Sequence, residues 1–308
     1  MYMTAKTAAE RWGISDRRVR VYCAESRIKG ARRDGKSWLI PEDTDKPEAI
    51  TPAPPTPRPT VLPNSLAKRI LREREKNNHY GVYEYIQHQF AYSSNRMASN
   101  RLTDQMVLQL FRTDKIQTNR EPMKADDIIE AVNHFECVRI IIDNMSVPLT
   151  ADLIMLLHRK LYYGTYAERK KEVHAGVYRS KQSKIGTRPY AIPSKITKLL
   201  EWYEKIPNVN LVDILEFHVR FEKIHPFDDG NGRLGRLVMM KECLRYNITP
   251  FIIDDKRRTA YYKGINKWDD DPSILLAVIE KAQARFNAAF DLFKLMDYHR
   301  PPIGRDTR

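Results

Sequence analysis

Seven prolines fall between residues 47 and 63, at Pro47, Pro52, Pro54, Pro55, Pro57, Pro59 and Pro63, with Thr and Ala between several of them. Proline fixes φ and lacks an amide hydrogen, so neither a helix nor the interior of a sheet runs through such a stretch. An extended, semi-rigid spacer of polyproline type is therefore predicted over 47–65. It divides the 308-residue chain into a short module, 1–46, and a long one, 66–300, ahead of a solvated basic tail, 301–308. The spacer is expected to leave the two modules free to act independently.

The short module reads as two helices and a hairpin. A helix is predicted over Ala5 to Trp12, a turn at Gly13-Ile-Ser15 with Ser15 as cap, and a second helix over Asp16 to Glu25. A hairpin over Ile28 to Pro41 turns at Asp34-Gly35. Helix, glycine turn, basic helix and wing resemble the excisionase-like, winged members of the MerR group of helix-turn-helix proteins. Through Pro41 there are ten Lys or Arg and four Asp or Glu, a net +6 against +14 for the whole chain. The resemblance and the charge together imply a DNA partner. Arg17, Arg18 and Arg20 would face the major groove or its flanking phosphates, and Arg32, Arg33 and Lys36 the backbone from the wing. Modules of this shape also serve in protein docking and dimerisation, and that alternative stays open.

The long module carries the run His225-Pro-Phe-Asp-Asp-Gly-Asn-Gly-Arg-Leu-Gly-Arg236. Histidine titrates near neutrality and can take a proton from an attacking hydroxyl. Asp229 is a hard oxygen donor suited to Mg²⁺. Gly230-Asn231-Gly232 has little bulk, and the apolar spacing of Leu237, Met240 and Leu244 predicts a helix starting there, whose free N–H groups form an anion site. Arg233 and Arg236, three apart, offer planar donors to phosphate. Phe227 is expected to anchor the loop in the core. His158 and His218 read as helix-packing histidines or as ones that support the site from behind, in preference to ligands, and His174 has no partner pattern.

This run resembles the Fic family signature, His-x-Phe-x-Asp/Glu-Gly-Asn-Gly-Arg-x-x-Arg, at every fixed position. The resemblance extends from the stretch near Tyr83 to that near Phe286, including Gly176-Val-Tyr-Arg179 and Phe217 through Ile224. It implies a mainly α protein, a Fic-type helical core with a short β-hairpin flap, that moves AMP from ATP to a Ser, Thr or Tyr hydroxyl of a target protein, possible targets including itself. By that resemblance His225 is the general base and Asp229 holds Mg²⁺. Gly230, Asn231 and Gly232 cradle phosphate, Arg233 grips the β phosphate and Arg236 the γ phosphate. Doc-type relatives, which phosphorylate, lack the Gly-Asn-Gly-Arg arrangement.

Two further features follow from the family pattern. An inhibitory helix around 83–100, with the pattern Ser/Thr-x-x-x-Glu-Gly/Asn, aligns Ser94 with its first position, Ala98 with the Glu and Ser99 with the Gly. The carboxylate that would pair with Arg236 is missing, which implies a de-inhibited form. The flap, with Lys184, Ile185, Gly186 and Thr187 at its turn, would register the target by strand addition. Tyr262, in Arg258-Thr-Ala-Tyr-Tyr262, aligns with an aromatic near adenine, although packing against the core explains it equally well. Two classes of function remain: an AMP transferase, or an ATP-sensing DNA-binding regulator with a Fic-like body and little turnover.

Quieter limits come from composition. The chain is 42% hydrophobic and 30% charged, and no apolar run approaches the roughly 20 residues of a membrane span. The Met-Tyr-Met-Thr start lacks a signal-peptide core. Cys23, Cys137 and Cys243 are isolated and odd in number, so a reducing cytoplasm is expected and neither a disulfide framework nor a zinc site. The sequence names no target protein and leaves homo-oligomers open.

Overall fold

A computed structural model describes residues 2–14, 16–24, 28–35, 37–47, 65–76, 80–117 and 122–298, with the backbone alone at 17, 18, 21, 24, 65 and 294–298. The chain divides into two compact units, Met1–Pro57 and Arg58–Arg308. Most of the proline-rich spacer, the tail, Ser15, Glu25, Lys36 and the side chains of Arg17 and Arg18 lie outside what is described.

In the first unit, β1 (Tyr2–Thr4), α1 (Ala5–Trp12), α2 (Asp16–Ala24), β2 (Arg32–Asp34) and β3 (Ser37–Pro41) follow in order. Thr4 caps α1 by accepting from the Thr7 amide (3.2 Å), and Gly13 ends it in the left-handed conformation. The hairpin pairs Asp34 with Ser37, in keeping with the predicted turn, and β1 adds to it antiparallel, in the order β1-β3-β2. That third strand was not expected; three residues give too little alternation to read. Ala8, Val19, Tyr22 and Ile40 pack between the helices and the sheet.

The second unit is helical: α3 (Ser65–Glu75), α4 (Val82–Arg96), α5 (Asp104–Thr113), α6 (Ala125–Asp143), α7 (Ala151–Tyr162), the single turn α8 (Tyr166–Arg169), α9 (Ile192–Glu204), α10 (Leu211–Ile224), α11 (Asn231–Arg245), α12 (Arg258–Lys267) and α13 (Ser273–Tyr298). The start of α10 is fixed by a capping box, with Asn210 accepting from the Val212 and Asp213 amides and Asp213 accepting from the Asn210 amide. The helix predicted to start at Gly230-Asn231-Gly232 is α11, but the apolar stripe understates it. Nearly every side chain from Asn231 to Arg245 is buried, so α11 is the strut around which α4, α6, α7 and α10 pack.

The expected β-hairpin flap is not a hairpin. Residues 180–188 form an irregular loop that enters a short 3₁₀ turn at Pro189–Ala191. Its one large apolar side chain, Ile185, is exposed, so no alternating face exists to bury, and an isolated pair of strands is marginal in water. The inhibitory-type segment also departs from expectation: α4 ends at Arg96, and Ala98 and Ser99 lie in the turn that follows, with Ala98 N donating to Asn95 O (2.9 Å) and Ser99 at φ 73°. Ser99 thus occupies the left-handed conformation that Gly or Asn adopts most easily.

Candidate active site

The His225–Arg236 run joins α10 to α11. His225 terminates α10 in the left-handed conformation (φ 51°), its amide donating to Phe221 O (3.0 Å). Phe227 is fully buried and stacks on His158 of α7, ring centroids 3.9 Å apart. His158 Nδ1 accepts from the Gly176 amide (2.8 Å), so its other nitrogen, Nε2, carries the proton and donates to Asp229 O (3.1 Å). Burial lowers the His158 pKa to about 4, which keeps this neutral tautomer across the physiological range. His158 is the packing residue that the sequence suggested, and it also holds the carbonyl of Asp229 in place. His174, which had no partner pattern, donates through its backbone N–H and Nδ1 to Asp228 Oδ2.

Asn231 ties its side chain to the loop, Oδ1 accepting from Phe227 N and Nδ2 donating to Phe227 O (both 3.0 Å). Its side chain therefore closes the turn from which the backbone amides of α11 open. The first amides of α11 have no acceptor within the helix, since the helical bonds begin with Leu234 N to Gly230 O (3.0 Å). Gly230 is required there: at φ 77° an added Cβ would lie 2.6 Å from Tyr162 Cε2.

The two arginines line one cavity but are anchored apart. Arg233 pairs with Glu130 of α6 (2.9 Å) and donates from Nη2 to the Tyr162 hydroxyl (2.7 Å). Arg236 donates from Nε to Ser94 Oγ (3.1 Å) and from Nη2 to Ser94 O (3.0 Å), leaving Nη1 buried and without a partner among the described residues. Such an orphan donor costs roughly 1–3 kcal/mol unless a ligand meets it. Sequence reasoning missed Tyr162, Glu130 and Glu222; Tyr162 carries a faint signal, being one helical turn after His158 on α7.

The cavity, of about 670 Å³, is lined by His225, Asp229, Gly230, Asn231, Gly232, Arg233 and Arg236, together with Glu222. Ala98 and Ser99 form one wall, Ile185 and Gly186 another, and Tyr262 and Arg258 of α12 a third. Lys184 is exposed beside it, and Thr187 N donates to Ile224 O (3.0 Å). Burial and the nearby Arg179 charge hold the His225 pKa below its usual value, while Asp229 and the Glu222 carbonyl partly offset them. A neutral imidazole, an anion-binding helix end, two guanidinium groups and a carboxylate suit a polyphosphate whose transfer needs a base. Asp229, a hard oxygen donor in this lining, is of the kind that would hold Mg²⁺ together with phosphate and water.

In the first unit, the candidate DNA contacts that are described lie on its surface. Arg20 pairs with Asp16 (2.6 Å), one turn back on α2. Arg32 sits over the ring of Tyr2 (4.6 Å) and Arg33 over that of Trp38 (5.8 Å). Consecutive strand residues point to opposite faces, so the two wing arginines do not share one.

Residues 148–243 match the family model described as Fic/DOC family. The chain is 27% identical over 192 residues to the protein adenylyltransferase Fic of Nematostella vectensis, an alignment covering 59% of this chain and 43% of that protein. It spans less than half the length of the curated relatives first matched. Among solved structures, a Fic-domain-containing signaling protein from Bacteroides thetaiotaomicron has a TM-score of 0.59 at 20% identity, covering 74% of this chain and 95% of that one. Fic-1 from C. elegans, residues 134–508, has a TM-score of 0.58 at 16% identity, covering 75% of this chain and 74% of that one. These likenesses show a shared fold. No described helix is long and apolar enough to cross a membrane.

Proposed function

We propose that this chain, which carries a Fic/DOC domain at residues 148–243, transfers AMP from ATP to a hydroxyl group of a protein. The observation that carries this reading is the single cavity into which His225, the amino end of α11, Arg233 and Arg236 all open. In the reaction, the acceptor oxygen forms a bond to the α phosphorus as the bond from that phosphorus to the β-bridging oxygen breaks. Pyrophosphate leaves, and His225 takes the acceptor's proton. Asp229 would hold Mg²⁺, which supplies charge neutralisation on the phosphates. The α11 amides and Arg233 bind the phosphate chain, and Arg236 presents Nη1 to its far end.

The same reading makes this a de-inhibited form. Ala98 faces the cavity with a methyl group where the inhibitory pattern has a carboxylate, and Ser94 holds Arg236 without neutralising it. The basic N-terminal unit, two helices and a hairpin, is read as a winged helix-turn-helix that binds DNA through exposed arginines such as Arg32 and Arg33. A nucleotide-sensing regulator without turnover is the competing reading, and the presence of a base at 225 speaks against it.

Incubating the chain and a cell extract with ATP labelled at the α phosphate, beside His225→Ala, separates the two. Covalent label that depends on His225 is expected. Tight ATP-dependent DNA binding without label would overturn the transferase reading.

A further inference from the structure

The loop 180–187 passes over His225 without strand pairing, so something else must hold it there. Three consecutive carbonyls beside the base, those of Ile224, His225 and Pro226, each receive a donor from the two feet of this loop. Thr187 N donates to Ile224 O (3.0 Å), Arg179 Nε to His225 O (2.7 Å) and Arg179 N to Pro226 O (2.9 Å). The Arg179 guanidinium also donates from Nη1 to Lys181 O (2.9 Å) and from Nη2 to Thr187 O, so one side chain joins both feet to the base-bearing turn. Arg179 is only 3% exposed.

Gly186 fits into the same arrangement. At φ 95°, an added Cβ would lie 2.6 Å from His225 Cβ and 3.0 Å from Arg179 Nη2. The loop is therefore pressed between the base and the guanidinium, with Ile185 and Gly186 forming the cavity wall.

We propose that Arg179 is a positioning residue for the acceptor side of the reaction: its guanidinium fastens the 180–187 loop over the cavity and, through the His225 carbonyl, fixes the turn that aims the base. This rests on the transferase reading above. Its fork is the reason for arginine, because three carbonyls in different directions require donors on three nitrogens of one rigid group. Its charge has a second effect, since a cation beside an imidazole disfavours protonation and keeps His225 ready to accept a proton. The other groups acting on His225 are Asp229 and the Glu222 carbonyl, which favour protonation; Lys223, next in sequence to Glu222, is paired with Asp269 (2.5 Å).

The test compares full-length Arg179→Lys and Arg179→Met with the unaltered chain. Lysine keeps the charge and loses the fork; methionine loses both. In both variants, trypsin cleavage after Lys181 and Lys184 is expected to accelerate about tenfold, the equivalent of one lost charged hydrogen bond. Affinity for α,β-methylene ATP, measured by calorimetry, stays within about twofold, because no phosphate-binding group has moved. The His225 imidazole titration, followed by NMR, moves to higher pH in Arg179→Met and stays in place in Arg179→Lys. Unchanged cleavage in both variants would overturn the proposal, as would a parallel loss of nucleotide affinity or equal titration shifts. If the unaltered chain labels no protein, the transferase reading falls, while cleavage and titration still decide what Arg179 does.

Discussion

Replacing Glu222 by Gln should change how the stability of this protein depends on pH. Glu222 lies on α10, one turn before His225, with its carboxyl in the cavity wall and Oε1 unbonded among the described residues. Burial raises its pKa from an ordinary 4.5 to about 7, and Arg236 pulls the other way without prevailing. The native state therefore holds this proton more tightly than the unfolded chain does. The resulting stabilisation is complete below the unfolded value and is lost as pH rises through the folded one. A displacement of that size corresponds to about 3 kcal/mol. Glutamine keeps the shape of the protonated acid and does not ionise, so the variant lacks this loss. Urea unfolding of both proteins, followed by circular dichroism from pH 4.5 to pH 8, gives the difference directly, since groups common to both cancel. The variant should gain about 3 kcal/mol over the unaltered protein across that window, most of it between pH 5 and pH 7. Parallel curves would refute the reasoning, because they would mean that the carboxyl is solvated or that Arg236 fully neutralises it.

Ala98→Glu should lower labelling from ATP at least tenfold if Arg236 is the unrestrained phosphate ligand, a change of about 1.4 kcal/mol or more in transition-state binding; undiminished labelling would disprove the de-inhibited reading. Asn231→Ala removes both ties to the Phe227 backbone and is expected to cost about 2 kcal/mol in urea unfolding, with weaker nucleotide binding by calorimetry. Gly230→Ala forces a side chain into the left-handed region against Tyr162 and should cost on the order of 1–3 kcal/mol by the same unfolding assay. Replacing Arg20, Arg32 and Arg33 by Ala should reduce the salt dependence of DNA binding by about 0.9 in log–log slope for each phosphate contact removed, measured by fluorescence anisotropy; an unchanged slope would remove these residues from the interface.

What could be read from the sequence was what is contiguous in it. His225 through Arg236 lies in one run, so its residue types and spacing already outlined the lining of the candidate site. The partners that make it rigid come from elsewhere: His158 and Tyr162 on α7, Glu130 on α6 and Ser94 on α4. Their pairing is decided by how helices pack, which no local pattern records. The flap shows the opposite failure. Its residues tolerate strand conformation, yet a strand forms only where a neighbour completes the ladder, and here carbonyls beside His225 and one guanidinium took that place. The hairpin at Asp34–Ser37 was legible because turn chemistry is local. The end of α4 was not, because the left-handed Ser99 ends the run of turns without a glycine to announce it.

The burial of α11 on every side has a consequence for how such a protein can vary. The helix that would grip the nucleotide is also the one around which its neighbours pack, so a change that loosens the interior loosens the candidate site with it. New chemistry at that end would demand a rebuilt interior. The rim is different: the 180–187 loop and the turn at Ala98 and Ser99 border the same cavity from outside the helices. On the transferase reading proposed above, substitutions there would redirect which hydroxyl arrives, or restore a brake, while the interior beneath keeps its shape.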